Sequence, residues 1–338
     1  MALEVKDDNG KNVDWWFIYK LPSDTTAPSS YQGKVKETTG KEYLYADVNT
    51  KTALSLSPHQ IHQKEGALQN TLNQIYQATS QSKDSLGWIC YNDEIPDQDH
   101  NDDRKGHTKG VLAFDLASDT AFWLLHSWPK FPDIKTGAPA AWDNAQTYLC
   151  IALKDVATAR KIAEVMYHNQ EPQTYQTRLP DSLEKSDFLY QVATNIDVNE
   201  KDPPADIEFH SKGGQRFRLM AKNRHWDKDF WIDLVGPHLK TNFEVETWRR
   251  RAIPDKEDSD RQHHVTDILY LNLEGLDLPY EWKYTKDHSK WGIGQKDHWV
   301  CVADINRQVS QEHRGGGGIC FQNEVLWQSL SKIQKLKK

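Results

Sequence analysis

Short apolar runs separated by turn residues recur along the chain, and they predict β-strands. The predicted strands are Trp15–Tyr19, Gly87–Tyr91, Gly110–Phe114, Ala121–His126, Thr147–Leu153, Arg216–Ala221, Asn242–Trp248, Ile268–Leu273 and Trp299–Ala303. Stretches with apolar residues at helical spacing predict helices between them. One begins at Ser57-Pro58, one runs from Asp155 as N-cap to Tyr167, one covers Asp229–Leu239, and the last carries Val325, Leu326, Leu330 and Ile333.

The strand and helix pattern is interrupted once and then restarts. A polar stretch with two prolines, from Asn195 to Pro204, separates the two series and predicts a domain boundary or a crossover. The sequence therefore predicts a mixed α/β fold with two similar halves, residues 1–195 and 205–338. A run of four glycines, Gly315–Gly318, predicts either a flexible loop or a close backbone approach.

Composition and charge narrow the possible partners. The 338 residues carry 42 Lys+Arg against 49 Asp+Glu, a formal charge of −7. This disfavours a polyanion ligand at neutral pH, but full protonation of the 14 histidines would turn −7 into +7, so acid pH would favour one. No signal peptide is visible, and no apolar run is long enough to span a membrane. The four cysteines form no C-x-x-C pair, so we expect no zinc site.

Five His-x-Lys tripeptides occur, at His62, His107, His210, His238 and His288. His62 and His238 fall in predicted helices, where residues two apart diverge, so we interpret them as surface residues. His107 and His288 each precede a strand that ends in polar side chains, whereas His210 lacks that ending. In a strand, residues i and i+2 point to the same face, so each half would present one His and one Lys to a common site.

Two such pairs suit metal-free cleavage of a phosphodiester. One neutral imidazole can attack phosphorus, and a second, protonated imidazole can protonate the leaving oxygen. Lys109 and Lys290 can stabilise the charge on the non-bridging oxygens. We expect Asp304, Asn306, His126 or Asp115 to orient the imidazoles by hydrogen bonds, and we expect no metal or other cofactor. Which histidine is the nucleophile is left open.

Several segments together resemble the deoxyribonuclease II family, whose site is built like the paired His-x-Lys sites of the phospholipase D superfamily. The segments are Trp15–Pro22, Tyr91–Asp93, Gly106–Val111, His126–Pro132, Asp287–Trp291, Trp299–Arg307 and Arg314–Gly317 with Cys320 soon after. They span nearly the whole chain in the family's order.

The resemblance implies an endonuclease that cuts double-stranded DNA in acid without divalent metal and leaves 3′-phosphate and 5′-hydroxyl ends. It implies that His107, Lys109, His288 and Lys290 are catalytic, and it leaves His210 without a counterpart. It also implies two related α/β halves, each a β-sheet flanked by helices, with the active site at their junction. Cys301 and Cys320 fall where animal members have a disulfide, and Cys90 and Cys150 are expected to be free and buried.

Some alternatives stay open. The chain shows no leader, no Asn-x-Ser/Thr sequon and few cysteines, so it looks like a bacterial member, and its localisation is open. It could be a phospholipase D-like phosphodiesterase on another substrate, or a non-catalytic DNA-binding relative. Asp97–Asp103 begins like a calcium loop but lacks the required Gly and Glu, so an acidic surface loop is the simpler interpretation. Monomer and homodimer are both compatible with one complete site per chain.

Overall fold

A computed structural model describes residues 2–31, 33, 36–78, 84–98, 102, 104–132, 143–197, 201–249, 253 and 262–336. The strands are β1 Trp15–Lys20, β2 Tyr43–Asp47, β3 Ser55–Leu56, β4 Leu86–Asn92, β5 Lys109–Asp115, β6 Thr120–His126, β7 Gln146–Leu153, β8 Thr174–Arg178, β9 Ala205–His210, β10 Arg216–Lys222, β11 Phe243–Glu246, β12 Val265–Asp267, β13 Tyr270–Asn272, β14 Glu281–Lys283, β15 Trp291–Gly294, β16 Trp299–Ala303, β17 Gly316–Gln322 and β18 Gln334–Lys335. The α-helices are α1 Ala67–Tyr76, α2 Val156–Val165, α3 Phe188–Ala193, α4 Gly236–Leu239, α5 Val309–Glu312 and α6 Glu324–Ile333.

Two large sheets organise the described part of the chain. The first has the order β3-β2-β1-β7-β6-β5-β4-β8, and the second has the order β12-β11-β15-β16-β17-β10-β9. A small third sheet joins β14, β13 and β18. The mixed α/β class is therefore confirmed.

The two large sheets share a five-strand arrangement. In the first sheet it is β1-β7-β6-β5-β4, and in the second it is β10-β17-β16-β15-β11. Every pair within both sets is antiparallel. In each set, the strand that comes first in the sequence pairs with the strand that comes last, β1 with β7 and β10 with β17. Each strand of one set therefore has a positional counterpart in the other.

One hydrophobic core joins the sheets. Strands such as β1 and β7 are buried along their whole length, which explains why their sequences are continuous apolar runs rather than alternating ones. Trp15 of β1 contacts Phe321 of β17 with ring centroids 5.2 Å apart, and Trp123 of β6 lies 6.5 Å from Phe209 of β9. Because aromatic rings from both sheets fill the same core, the strand ends of the two sheets are held in a fixed relation.

A helix is present in the region predicted to begin at Ser57-Pro58, but the predicted first residue is wrong. The helix begins at Ala67 after Gly66, and the residues before it form turns held against the first sheet. The Ser57 amide donates to the Tyr43 carbonyl at 2.9 Å, and the Ile61 amide donates to the Lys41 carbonyl at 2.9 Å. These bonds to the sheet replace helical ones, so Ile61 is buried without being helical.

The other predicted helices and strands agree in place but differ in detail. Asp155 caps α2 as predicted, since its carboxylate accepts from the Thr158 amide at 2.7 Å. The predicted helix Asp229–Leu239 is a π-helical turn, Trp231–Val235, followed by the short α4. The predicted strand Ile268–Leu273 is shorter in the structure. It covers only β13, Tyr270–Asn272, and a 3₁₀ turn begins at Leu273.

The glycine run belongs to a strand. Gly316–Gly318 open β17, so the close backbone approach is confirmed and the flexible loop is not. A Cβ on Gly317 would lie 2.3 Å from the Met220 carbonyl oxygen on the neighbouring β10. Cys301 and Cys320 face each other across β16 and β17 and form a disulfide, and Cys90 and Cys150 are free and buried, as expected.

Candidate active site

Backbone contacts place His107 just before β5. The Gly106 amide donates to the Glu171 carbonyl at 2.7 Å, and the His107 amide donates to the Gly315 carbonyl at 2.8 Å. A Cβ on Gly106 would lie 1.8 Å from the Gln170 carbonyl oxygen, a distance that no side chain could accept. Glycine is therefore required here, because two backbone segments pass the turn at contact distance.

The His107 ring is fixed in one tautomer. Its Nδ1 lies 2.7 Å from the Asp304 carbonyl oxygen, which can only accept, so Nδ1 carries the proton. Nε2 then holds the lone pair whenever the ring is neutral. Burial lowers the pKa of His107 well below its usual value, and the positive charges of Lys109, Lys290 and Arg314 lower it further, against the opposing effect of Asp93. His107 is therefore neutral at a lower pH than an ordinary histidine.

Asp93 is the anion around which the first pair is organised. It directly follows β4, and its side chain is 3% exposed. Its Oδ1 accepts from the Lys109 ammonium, its Oδ2 lies 3.6 Å from His107 Nε2, and Arg314 Nη1 lies 3.4 Å from the same Oδ2. Burial alone would raise the pKa of Asp93, but the neighbouring Lys109, His107 and Arg314 charges hold it well below the usual value. Asp93 is thus an ionised carboxylate at any working pH.

The second pair lies before β15 and is held in a matching way. The His288 amide donates to the Ala145 carbonyl at 3.0 Å, and the Trp248 ring lies 4.6 Å from the His288 ring. The Lys290 ammonium donates to the His288 carbonyl at 2.7 Å. The neighbouring Asp287 is fully buried and accepts from the side chains of Tyr19 and Trp282. His288 is therefore anchored through its backbone and the residue before it.

The two lysines lie close together in a dry environment. Burial lowers the pKa of Lys290 to about 7, and the positive charge of Lys109 lowers it further, while Asp93 and Asp304 oppose the shift. Burial also raises the pKa of the Asp304 carboxyl well above its usual value, against the effects of Lys109 and Lys290. His107, Lys109 and Lys290 thus form one cluster contributed by both sheets, in which the two lysines carry the positive charge.

A cleft of about 480 Å³ opens onto this cluster. Asp93, His107, Trp248, Asn306, Gln311 and Arg314 are among its lining residues. Trp248 contacts the His288 ring, so the cleft brings the environments of both predicted catalytic histidines together. Its lining is polar and carries the Arg314 guanidinium beside the carboxylates of Asp93 and Glu94, so Arg314 is the lining group that suits a phosphate.

The four predicted supporting residues are placed differently from one another. The Asp304 backbone carbonyl orients His107, and Asn306 lines the cleft. His126 is buried behind Lys109, where its Nδ1 accepts from the Trp128 amide at 3.1 Å. Asp115 lies at the opposite end of β5 and accepts from the Ala117 amide at 3.0 Å, so the structure does not bring it to the cleft.

The remaining histidine candidates lie away from the cleft. His62 is exposed in a turn, and His238 pairs with Asp206 in the short α4. His210 is exposed at the end of β9, next to Ser211, which pairs with Leu153 at the far end of β7 from the site. This agrees with the prediction that these three tripeptides are not part of the site.

Asp93, Arg314 and Trp248 had no role assigned from the sequence. Asp93 had a detectable signal, since a charged residue directly after a fully apolar strand is typical of a site at the strand end. Arg314 and Trp248 carried no signal of their own, because long-range packing alone brings them to the cleft.

Other predicted features give no second site. Among the described residues, no group of three or more His, Cys, Asp or Glu side chains could hold a metal ion. Much of the Asp97–Asp103 segment lies outside the described residues. Within the part of the chain that the structure describes, no helix is both long and apolar enough to cross a membrane.

Comparisons with known proteins identify a family and several relatives of the chain. The family model described as Deoxyribonuclease II matches residues 4–336. A protein of Burkholderia pseudomallei is 43% identical over 98% of this chain and 92% of its own length. Deoxyribonuclease-2-alpha of Sus scrofa is 30% identical over 99% of this chain and 90% of its own length. A solved structure of yeast tyrosyl-DNA phosphodiesterase covers 65% of this chain and 67% of its own, but its 10% identity and TM-score of 0.30 are too low to carry an argument.

The class that follows is a nuclease, a hydrolase of phosphodiester bonds. The chain belongs to the deoxyribonuclease II family, which it matches over nearly its whole length, and bacterial relatives in two strains of Burkholderia pseudomallei are 43% identical to it.

Proposed function

We propose that the protein is a metal-independent acid endonuclease that cuts double-stranded DNA through a phosphohistidine intermediate, leaving 3′-phosphate and 5′-hydroxyl ends. The observation that carries the proposal is the fixed tautomer of His107. A ring that donates from Nδ1 to a backbone carbonyl presents the Nε2 lone pair, which is the orientation a nucleophile needs. We further infer that residues 1–195 and 205–338 are phospholipase D-like halves.

In the first step, His107 Nε2 attacks phosphorus and forms an N–P bond. The bond between phosphorus and the 5′ oxygen breaks, and the His288 imidazolium gives its proton to that oxygen, which leaves as a 5′-hydroxyl. His107 is assigned as nucleophile because its lowered pKa keeps it neutral in acid, where a proton donor must be charged. His288 takes the acid role because it belongs to the second His-x-Lys pair and its ring contacts Trp248, which lines the cleft.

In the second step, the now neutral His288 removes a proton from water. The resulting hydroxide attacks phosphorus, the N–P bond breaks, and the electron pair returns to His107 Nε2. The product keeps its phosphate on the 3′ oxygen. Protons and electrons balance over the two steps, and His288 ends in the protonated form in which it began.

The charge that builds on the non-bridging oxygens is met by Lys109 and Lys290. Both are at least nine-tenths buried, so their charges act through little water and require no reorganisation during the reaction. Lys109 is partly neutralised by Asp93, and Lys290 is fixed by the His288 carbonyl. Two fixed ammonium groups can in this way do what a divalent cation does in other phosphodiesterases.

The proposal is tested by trapping the intermediate. An oligonucleotide duplex with ³²P at its internal phosphates is mixed with enzyme at acid pH in EDTA and quenched in alkaline detergent, where phosphohistidine survives. We expect labelled protein whose radioactivity maps to a peptide containing His107 and is lost in His107→Ala. The cut ends should be ligatable only after phosphatase and kinase treatment. Label that persists in His107→Ala, or ends that carry 5′-phosphate, would contradict the mechanism.

A further inference from the structure

Two fully buried lysines outside the proposed catalytic set occupy equivalent positions in the two sheets. Lys20 is the last residue of β1 and pairs with Gln146, the first residue of β7. Lys222 is the last residue of β10 and pairs with Gly316, the first residue of β17. Because β1 and β7 correspond to β10 and β17 in the shared five-strand arrangement, the two lysines are counterparts.

Each lysine binds the backbone of the loop that enters its neighbouring strand. The Lys20 ammonium donates to the Asn144 carbonyl at 2.5 Å. The Lys222 ammonium donates to the Arg314 carbonyl at 2.6 Å, and to the carbonyls of Gln311 and Glu312 at 2.9 Å each. In both cases the bound loop residue lies two positions before the first residue of the strand.

The next residue of each loop contacts a proposed catalytic histidine of the other sheet. Asn144 is followed by Ala145, whose carbonyl accepts from the His288 amide at 3.0 Å. Arg314 is followed by Gly315, whose carbonyl accepts from the His107 amide at 2.8 Å. The connection therefore runs from a lysine through two loop residues to the opposite histidine, and it occurs twice.

We propose that Lys20 and Lys222 are a matched pair of positioning residues, each fixing the loop of its own sheet that holds the proposed catalytic histidine of the other sheet. Lys20 acts on His288, and Lys222 acts on His107. The inference rests on the proposed roles of these histidines but adds a separate claim about which lysine serves which histidine.

Energetics support a functional reason for this arrangement. Both lysines are 0% exposed, and burying an ammonium is unfavourable unless its donors are satisfied. Burial lowers the pKa of Lys20 to about 7 and that of Lys222 to about 8, so both sites bear this cost. An apolar side chain would fill the same space without it. The unfavourable burial of an ammonium group occurs at two equivalent positions, and each lysine is one loop away from a proposed catalytic histidine. This is what we expect if the site requires the loop carbonyls to be held in place.

The test compares Lys20→Met and Lys222→Met with His288→Ala and His107→Ala on two substrates. The first substrate is plasmid DNA. The second is thymidine 3′-(4-nitrophenyl phosphate), whose nitrophenolate leaves without needing a proton. Its release is followed in a single turnover with enzyme in excess, so that it reports the first step alone and depends on the nucleophile but not on the acid or on the later activation of water. Lys212→Met is the matched control, since Lys212 is a half-exposed lysine that pairs with Glu4 on the surface. Folding of each variant is checked by circular dichroism and thermal midpoint.

We expect Lys20→Met to follow His288→Ala, with DNA cleavage reduced by about 100-fold and the single-turnover release of nitrophenolate by less than about threefold, as for a misplaced acid. We expect Lys222→Met to follow His107→Ala and lose about 100-fold on both substrates. Lys212→Met should match the wild type. If a methionine variant does not fold, the Lys→Gln variant, which retains an amide donor, is measured against the same pattern.

The outcomes test the positioning role of the lysines and the proposed function of the protein separately. If both lysine variants keep DNA cleavage within threefold, or if both reduce the two substrates equally, the positioning claim is overturned. If Lys20→Met follows His107→Ala instead, it is also overturned. His288→Ala could instead lose ester cleavage while His107→Ala keeps it. If Lys20→Met still matches His288→Ala and Lys222→Met still matches His107→Ala, the assignment of nucleophile and acid fails but the positioning claim stands. Full activity of both histidine variants would instead overturn the proposed function.

Discussion

Replacing Asp93 with Asn isolates the contribution of the buried carboxylate at the centre of the first pair. Asn keeps the shape of the side chain and one acceptor oxygen but removes the negative charge. Lys109 and Arg314, and His107 when it is protonated, would then share a buried site with no anion. The perturbation is therefore electrostatic rather than steric.

The magnitude follows from the burial of the pair. The side chains of Asp93 and Lys109 are only 3% and 4% exposed, so solvent screens their attraction poorly. Removing one partner of a buried pair costs about 3–5 kcal/mol because the other charge is left uncompensated. Since Asn retains an acceptor, we expect the lower end, a loss of about 3 kcal/mol in the free energy of unfolding. With a urea slope of about 3 kcal/mol/M for a chain of this size, the midpoint should fall by about 1 M.

The assay is urea unfolding followed by tryptophan fluorescence at several pH values. The folded-state pKa of Asp93 is depressed, so its stabilisation is present above the unfolded value of about 3.9 and is lost as pH falls towards the folded value. The gap between wild type and Asp93→Asn should therefore stay constant from pH 7 to about 5 and narrow only below about pH 4. Asp227→Asn is the control, because Asp227 is 62% exposed and pairs with an exposed histidine. We expect the control to lose less than about 0.5 kcal/mol.

Two outcomes would refute this reasoning. A loss below about 1 kcal/mol would mean that Asp93 does not compensate the buried cations. A gap that closes between pH 7 and pH 5 would mean that the folded-state carboxyl takes up a proton well above its ordinary pKa of about 3.9 and is not held ionised by its neighbours.

The other predictions concern the supports of the site. Gly106→Ala should unfold more easily and lose at least tenfold in kcat, since its Cβ would lie 1.8 Å from the Gln170 carbonyl oxygen; kcat within twofold of wild type would contradict the packing. Replacing Cys301 and Cys320 together with Ser should cost about 3 kcal/mol in urea unfolding, as expected for residues 19 apart, and a loss under 1 kcal/mol would argue against the disulfide. The depressed folded-state pKa of His126 means that stability falls below about pH 6.5, so His126→Asn should lose less stability than wild type between pH 7 and pH 5; parallel losses would contradict a buried neutral ring.

Local signals in the sequence were sufficient for much of the fold. Strands such as Trp15–Lys20 and Gln146–Leu153 are buried along their whole length and mostly apolar because both faces of the sheet are covered, and such apolar runs are visible in the sequence. The helix start at Ser57-Pro58 failed because a turn signal was interpreted as an N-cap. The apolar Ile61 that supported the helix is buried by contacts with the sheet, which no local pattern records.

The sequence likewise shows which residue types form the site but not the backbone contacts that orient them. The His-x-Lys segments are visible because residue types and spacing carry them. The orientation of His107 depends on the carbonyl of Asp304, and the placement of both histidines depends on the carbonyls of Gly315 and Ala145. Every residue has a carbonyl, so such contacts leave no mark in the residue types. The sequence offered Asp304 as one of four candidate orienting residues, and the contact that holds His107 comes from the backbone carbonyl of that residue.

The central claim, cleavage by two histidines without metal, is tested most directly by plasmid nicking in excess EDTA from about pH 4 to pH 8. Wild type, His107→Ala and His288→Ala are assayed side by side at equal concentrations of folded protein. We predict nicking in EDTA that is greatest in acid and is lost in both variants. Nicking that requires added divalent metal, or that persists in either variant, would contradict the two-histidine mechanism.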